Sequence, residues 1–342
     1  MNPSSATTTL PAALPSTSST PIARQQAANE TTGLWLGLLG VVIFALTLPM
    51  TRLAVGTLAD PQMSGVFIAL GRAATAGLLS VVFLLATRAP MPKRADWRPL
   101  ALTAAGVVFG FPLLTSMAMR HVEAVHASVI IGVLPLTTAG VGALLHRQRP
   151  SNGFWLCAAL GSALVVAFAL LRSGSALRIA PADILLLLAT LCGAVGYGYG
   201  GRLSQRMRAE HVICWALVIS LPATLPAAWL SWPASTVRTA AWWGFGYVAL
   251  FSMWLGFFAW YRGLALGGTV RVSQVQLVQP FLSMLFAVPL LGESLDAVTL
   301  GFGLAVIATV FVGKKMPVKI APSPSPQPPS NESATFNTGN RK

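Results

Sequence analysis

The feature that most constrains this sequence is an apolar pattern that occurs twice. Residues 128–135 return as residues 273–280, 145 positions later, each copy starting with serine and ending with proline. Thr138 then aligns with Ser283, and a second apolar segment follows each copy. Paired halves of apolar segments are typical of secondary transporters, whose substrate site lies at the interface of the repeats. The pattern therefore predicts a chain that moves a solute across a bilayer.

The composition indicates a membrane protein. Hydrophobic residues make up 54% of the 342 residues and charged residues only 9%, against roughly 25% charged in a typical soluble domain. The net charge of +14 lies in short loops and tails, with no basic helix face, so we expect no nucleic-acid partner. The expected partners are the lipid bilayer and a small-molecule substrate.

Apolar runs of about 20 residues, the length that spans a bilayer as a helix, occur ten times. They lack the strict alternation of barrel strands, so the predicted fold is an all-α polytopic membrane protein of ten transmembrane helices. The predicted helices are 34–52, 64–87, 99–119, 124–145, 153–171, 183–203, 212–232, 240–260, 271–291 and 296–313.

Five predicted helices lie on either side of a short linker, which divides the chain into two repeats. An odd number of helices in each repeat makes the two inverted relative to each other. The Ser-, Pro- and Asn-rich ends cannot bury an apolar face, so we expect both to be disordered. The predicted parts are a cytoplasmic tail at 1–33, a five-helix repeat at 34–171, a linker at 172–182, a five-helix repeat at 183–313 and a cytoplasmic tail at 314–342.

The basic residues predict the orientation. With a cytoplasmic N-terminus, the inside loops and tails hold 17 Lys and Arg residues and the outside loops hold five. The positive-inside rule therefore places both termini in the cytoplasm. We expect a multi-pass protein of the plasma membrane, that is, the cell inner membrane.

All nine acidic residues fall in tails, loops or helix ends. A carboxylate deep in the bilayer is the usual proton relay or cation partner of a pump, because a charge there is too costly to keep without a role. Its absence argues against an antiporter for organic cations. It favours a zwitterionic, anionic or neutral polar substrate.

Polar residues at helical spacing mark a predicted substrate site in the fourth and ninth helices. Prolines in both helices free backbone carbonyls, and irregular backbone at membrane depth is tolerated where it lines a cavity. The alternative is that small polar faces only let helices pack closely. A glutamine amide in hydrocarbon needs a partner, which favours the functional interpretation for the glutamines. The residues are Ser128, Pro135 and Thr138 in the fourth helix and Ser273, Gln276, Gln279, Pro280 and Ser283 in the ninth.

Arg72 and three aromatic residues complete the predicted substrate site. Arg72 is the only basic residue deep within a run; it either extends to the outer surface or faces the cavity and attracts a carboxylate or phosphate. Tyr197, Tyr199 and Trp254 either stack on the substrate or fill the helix packing. The candidate hinges are the helix prolines Pro49, Pro135 and Pro280.

Nothing in the sequence points to catalysis. The cysteines Cys157, Cys192 and Cys214 match no metal-site spacing. A membrane enzyme would need a nucleophile, a base or metal ligands at one depth, so we expect no enzyme activity, no metal and no cofactor. A non-transporting receptor or assembly factor would explain ten helices but not the repeat.

Several segments together resemble the drug/metabolite transporter superfamily, in its branch with two EamA domains of five helices each. The resemblance covers residues from about 34 to 313, and it departs at 146–149, where the acidic residue present as Glu293 in the second repeat is missing. The matching features are segments 44–52, 70–74, 261–265 and 290–295 and the prolines Pro135 and Pro280.

The resemblance implies a ten-helix bundle around a central cavity that opens to one side at a time. Members of the superfamily move amino acids, other metabolites, drugs, nucleotide sugars or triose phosphates, and similar bacterial chains are mostly exporters. The expected function is therefore export of a small polar metabolite such as an amino acid by alternating access. A drug exporter or a sugar-phosphate or nucleotide-sugar exchanger is the alternative.

Overall fold

The computed structural model describes residues 21–145, 148–172, 180–267, 272–316 and 318–320. Within these ranges the chain is almost entirely helical. The exceptions to helix and loop are two short strands, β1 (Gln148–Pro150) and β2 (Val318–Ile320), which pair antiparallel. A helix satisfies its backbone polar groups internally, as a bilayer requires, so the apolar runs fold as predicted.

The first half begins upstream of the predicted first span, at Pro21. A short 3-10 turn, Arg94–Asp96, precedes α4, and a π-helical segment, Ala104–Gly110, joins α4 to α5. The α-helices are α1 (Pro21–Ala45), α2 (Thr47–Val55), α3 (Gly65–Ala86), α4 (Trp97–Thr103), α5 (Phe111–Ala118), α6 (Ala124–Ile131), α7 (Leu134–Leu145) and α8 (Asn152–Arg172).

The second half repeats some of these interruptions. A π-helical segment, Val248–Leu255, joins α11 to α12, and a 3-10 turn, Ser273–Val278, leads into α13. The α-helices are α9 (Pro181–Leu203), α10 (Ala209–Leu230), α11 (Thr239–Tyr247), α12 (Gly256–Gly267), α13 (Gln279–Leu291) and α14 (Ala297–Lys315).

Helical segments occupy all ten predicted runs. In the described ranges, seven stretches are long and apolar enough to span a membrane, and shorter apolar helices cover 155–168, 275–291 and 297–309. The chain is therefore a polytopic helical membrane protein, while ten spans in two inverted repeats remain a prediction. The seven stretches are Ala28–Val55, Gly65–Ala86, Arg94–Ala118, Ala124–Gly142, Pro181–Leu203, Ala209–Leu230 and Thr239–Gly267.

The outside of the bundle is apolar. Leu78, Val82 and Leu85 on α3 and Leu156 and Leu160 on α8 are all exposed. Water-soluble monomers rarely expose large contiguous apolar surfaces, whereas lipid tails accept them. These helix faces are therefore suited to contact the hydrocarbon of the bilayer.

Glycines let the two halves approach closely. Gly33 and Gly37 on α1 face Gly263 and Gly267 on α12, and a Cβ on Gly263 would lie 2.7 Å from the backbone nitrogen of Gly37. Real side chains are not found that close to another backbone, so only glycine fits there. This packing holds the first helix of the chain against the second half.

Prolines lie beside the breaks in three helical rods. Pro49 has no N–H to bond the carbonyl of Ala45, and helical bonding is interrupted at Leu46, between α1 and α2. Pro135 follows the break between α6 and α7, and Pro280 follows the 3-10 turn before α13. All three candidate hinge prolines thus lie next to an interruption, although their action as hinges stays a prediction.

Candidate functional site

Two adjoining cavities lie between the halves of the chain. The glutamine cavity is lined by Leu48, Ser128, Ile131, Leu134, Pro135, Gln276, Gln279, Pro280 and Ser283. The arginine cavity is lined by Phe44, Thr47, Leu48, Arg72, Val107, Phe111, Ile131, Tyr197, Ser252, Phe257 and Gln279. Since Leu48, Ile131 and Gln279 line both, the two cavities share a wall to which each half contributes.

Gln276 is the most unusual residue of the glutamine cavity. The 3-10 turn before α13 carries it inward, and its side chain is only 1% exposed. Neither its amide oxygen nor its amide nitrogen has a hydrogen-bond partner in the described part of the protein. A buried polar group left unpaired costs about 1–3 kcal/mol. The amide is therefore free to bond a ligand or water in the cavity.

Arg72 gives the arginine cavity its charge. It lies on α3, only 3% exposed, and its Nη2 donates to the Ser252 hydroxyl at 3.3 Å. Its Nε has no acceptor, and none of the ion pairs among the described residues involves Arg72. An ion taken out of water without a counter-charge costs several kcal/mol. This environment favours binding of an anion.

Aromatic rings form the wall beside Arg72. The ring centroids of Phe44 and Phe257 are 5.0 Å apart, and Tyr197 lies 6.1 Å from Phe257 and 6.4 Å from Phe44. Such faces accept apolar groups, and they also attract cations through the ring quadrupole. The arginine cavity therefore offers an anion partner and a surface for an apolar or cationic group side by side.

Three hydroxyls of the second half bond the broken first helix. Ser283 donates to the Ala45 carbonyl at 2.7 Å, which is the acceptor that Pro49 cannot bond. The Tyr247 hydroxyl donates to the Ile43 carbonyl at 3.0 Å. The Ser252 and Thr47 hydroxyls pair at 2.8 Å, and either can be the donor. The interruption between α1 and α2 is thus stabilised from across the interface of the halves.

Most of the predicted site residues line one of the two cavities. Six of them line the glutamine cavity, and two, Arg72 and Tyr197, line the arginine cavity together with Gln279. The side chain of Ser273 lies outside the described part of the structure. The six in the glutamine cavity are Ser128, Pro135, Gln276, Gln279, Pro280 and Ser283.

Three predicted residues do not line either cavity. Thr138 donates to the Leu134 carbonyl at 2.8 Å within its own helix. Trp254 packs against Phe83 and Phe258, with centroids 6.1 and 5.1 Å away. Tyr199 is half-buried away from both cavities.

Sequence reasoning missed Ser252, Phe44 and Phe257. Each lies in a long apolar run, Phe257 directly before Phe258, and a serine or phenylalanine there is most simply interpreted as helix packing. The only available signal is position. Ser252 lies 145 residues after Val107, the offset of the repeat, and both line the arginine cavity.

Glu293 connects the halves at the end of the bundle that we predict to be outside. Its two carboxylate oxygens accept from the backbone N–H groups of Ala124 and Val125 at 2.8 Å, at the start of α6. Burial raises the pKa of Glu293 above its usual value, although these two bonds and Arg52 act in the opposite direction. At the corresponding position of the first repeat stands Gln148, the first residue of β1, while residues 146 and 147 of that segment lie outside the described residues.

A family model, a relative and a solved structure each match most of this chain. The model of the EamA-like transporter family matches residues 31–171 and 180–313. The uncharacterized transporter YdeK of Bacillus subtilis (strain 168) is 43% identical over 290 residues, which cover 84% of this chain and 99% of YdeK. A protein of known crystal structure, 18% identical, matches 83% of this chain and 98% of its own with a TM-score of 0.57. That likeness concerns the fold alone.

Proposed function

Because the chain belongs to the EamA-like transporter family and is a membrane transporter, we propose that it exports a small polar metabolite, such as an amino acid, across the plasma membrane. The proposal rests above all on the Gln276 amide, which is buried at a cavity lined by both halves and has no hydrogen-bond partner within the described ranges. A polar solute in the cavity would supply the missing hydrogen bonds. An apolar side chain would stabilise the fold better, so retaining the amide is best explained by binding.

The charges around the cavities favour a zwitterion or an anion. Among the described lining residues, Arg72 is the only charged side chain. An organic cation would find no carboxylate there, which argues against a cationic drug. A sugar phosphate or nucleotide sugar would require several basic residues for its phosphates. An amino acid matches one guanidinium, polar amides and an aromatic wall.

Alternating access is the proposed mechanism. The interruptions at Leu46, between α6 and α7, and before α13 all adjoin the cavities. Discontinuous helices at a repeat interface allow one half to rock against the other around a fixed site. The distribution of Lys and Arg supports cytoplasmic termini. In this arrangement Glu293 and α6 would close the outer end.

Counterflow in proteoliposomes tests the proposal. Amino acids, organic cations and sugar phosphates are each offered as labelled solutes, with and without a proton gradient. The wild-type protein is expected to exchange at least one amino acid, and Gln276→Ala to lower that exchange about tenfold through the lost hydrogen bonds. Gln205→Ala, which removes an exposed amide outside the cavities, is the matched control and is expected to exchange normally. Exchange confined to organic cations or sugar phosphates would overturn the proposed substrate.

A further inference from the structure

We propose that one edge of the Arg72 guanidinium is a subsite for a single carboxylate of the substrate, and that Ser252 is the residue that positions this edge. The inference rests on the proposed transport function and deepens it. It assigns a chemical group of the substrate to a place in the arginine cavity. It also gives a role to Ser252, which the sequence did not single out.

One edge of the Arg72 guanidinium is open to a carboxylate. Nε and one terminal nitrogen of arginine lie side by side, and a carboxylate binds such a pair through two parallel hydrogen bonds. Among the described residues, Nε of Arg72 has no acceptor and Nη2 donates to Ser252, at 3.3 Å. Charge-assisted bonds are usually about 2.7–2.9 Å long. The Ser252 contact is therefore weak, and because Nη2 carries two hydrogens a carboxylate can bind the edge formed by Nε and Nη2 while Ser252 keeps its contact.

A π-helical turn brings Ser252 to Arg72. A serine in a helix commonly bonds a carbonyl of the preceding turn, as Ser220 does with Ala216 at 2.7 Å. Ser252 instead lies in the π-helical segment Val248–Leu255, is 2% exposed and lines the arginine cavity. π-Helical turns are frequent at functional sites. Here the turn directs the hydroxyl to α3 and to the break in the first helix.

Thr47 holds the Ser252 hydroxyl in place. The two hydroxyls pair at 2.8 Å, and Thr47 is the first residue of α2, directly after the interruption at Leu46. Arg72, Ser252 and Thr47 thus connect α3, the π-helical segment and α2. Removing the Ser252 hydroxyl would let the guanidinium turn among several rotamers. Binding would weaken because the ordering would then occur during binding.

The subsite accepts one negative charge. Within the described lining no second cation lies beside Arg72, so the guanidinium matches one carboxylate rather than a phosphate or a dicarboxylate. Phe44, Tyr197 and Phe257 leave an apolar surface for the remainder of the molecule. The ligand class is a monocarboxylate, with or without an amino group.

Competition in the counterflow assay tests the carboxylate subsite without any variant. The labelled solute is the amino acid that the wild-type protein exchanges fastest. Its unlabelled form and its carboxamide, which lacks the anionic group, are compared as competitors. The carboxamide is expected to compete at least about tenfold more weakly, because a hydrogen bond to a charged group contributes about 1.5–3 kcal/mol. Equal competition would overturn the carboxylate subsite and leave the transport function standing.

Variants of Ser252 test its positioning role. Ser252→Ala is expected to raise the half-saturating concentration about tenfold, with the maximal exchange rate within about twofold of wild type. Ser252→Thr keeps the hydroxyl and is expected to restore affinity. Ser220→Ala, which lines neither cavity, is the control and should bind normally.

Two further outcomes would contradict the inference in distinguishable ways. An unchanged half-saturating concentration in Ser252→Ala, with Arg72→Lys impaired, would overturn the role of Ser252 alone. If the wild-type protein exchanged neither an amino acid nor another monocarboxylate, the proposed function would fail and this inference with it. Size-exclusion profiles of each variant show whether it is folded before its kinetics are interpreted.

Discussion

The two halves of the protein present different chemistry to the same cavities. Four pairs of lining residues are separated by 145 positions, the offset of the sequence repeat; Pro135 and Pro280 are alike, and in the other three pairs the first member is apolar and the second polar. At these three paired positions the first half thus supplies apolar surface, and the second half supplies hydrogen-bonding groups. The three pairs are Val107 and Ser252, Ile131 and Gln276, and Leu134 and Gln279.

The backbone of the two halves differs less than the side chains. The π-helical segments Ala104–Gly110 and Val248–Leu255 each place a residue of the first pair in the arginine cavity. Pro135 and Pro280 each follow an interruption beside the glutamine cavity. Similar interruptions in the two halves therefore carry different functional groups. The comparison teaches that a repeated fold can bind an asymmetric solute in one orientation.

Replacing the guanidinium of the first half should have the largest effect. Arg72→Lys keeps a positive charge but loses the planar fork that binds a carboxylate through two bonds. We expect counterflow of the best amino acid to fall by roughly a hundredfold, the equivalent of two hydrogen bonds to a charged group. Arg202→Lys changes an exposed arginine and should transport normally. Wild-type rates in Arg72→Lys would remove Arg72 from the site.

Replacing Gln276 of the second half by an apolar residue should lower transport and raise stability. Gln276→Met keeps the length of the side chain but removes the unpaired amide. We expect exchange to fall about tenfold, while the free energy of unfolding rises by about 1–2 kcal/mol because no buried polar group is left unpaired. Counterflow and thermal denaturation in the same lipid measure the two effects. A variant that loses both stability and transport would show that the amide has a structural partner.

The reverse change places a polar residue at the paired position of the first half. Ile131→Gln places a second amide in the wall shared by the two cavities, at a position that is 5% exposed. We expect the free energy of unfolding to fall by about 1–3 kcal/mol, since the new amide adds an unpaired polar group. Ile131→Val is the reference, with an expected loss of about 0.5–1.5 kcal/mol from the missing methylene group. Equal losses in the two variants would mean that the cavity solvates an amide freely.

The smallest expected effect concerns the contact between the halves at the first helix. Ser283→Ala leaves the Ala45 carbonyl without the donor that replaces the missing N–H of Pro49. We expect a loss of about 1–2 kcal/mol in thermal denaturation. Ser220→Ala removes a hydroxyl bonded within its own helix and should change stability by less than about 0.5 kcal/mol. Identical effects would argue against a special role for this carbonyl.

The positions of the helices follow from the sequence, because apolar length alone decides what can cross a bilayer. The inward face of the ninth predicted helix also follows, since Gln276, Gln279 and Ser283 are too polar for a lipid-facing surface. Their placement at the glutamine cavity agrees with that expectation, and a role in binding stays a proposal.

Helical spacing fails where a helix is interrupted. Ser128 and Thr138 share a face only if one helix continues through both, but the rod breaks between Ile131 and Leu134. The break rotates the residues after it about the helix axis, so Ser128 lines the cavity and Thr138 does not. Ser252 was missed for the opposite reason. A π-helical turn adds a residue to the turn, and nothing in the residue types signals that addition.

Cysteine labelling from both sides of the membrane tests most directly whether the shared wall of the cavities is the transport route. Gln279→Cys is made in a chain whose cysteines at 157, 192 and 214 are replaced by alanine, and a membrane-impermeant thiol reagent is applied to right-side-out and inverted vesicles. The account predicts labelling from either side, slowed by the transported amino acid, whereas Ser220→Cys stays unlabelled. Labelling from one side only, or from neither, would contradict alternating access at this cavity.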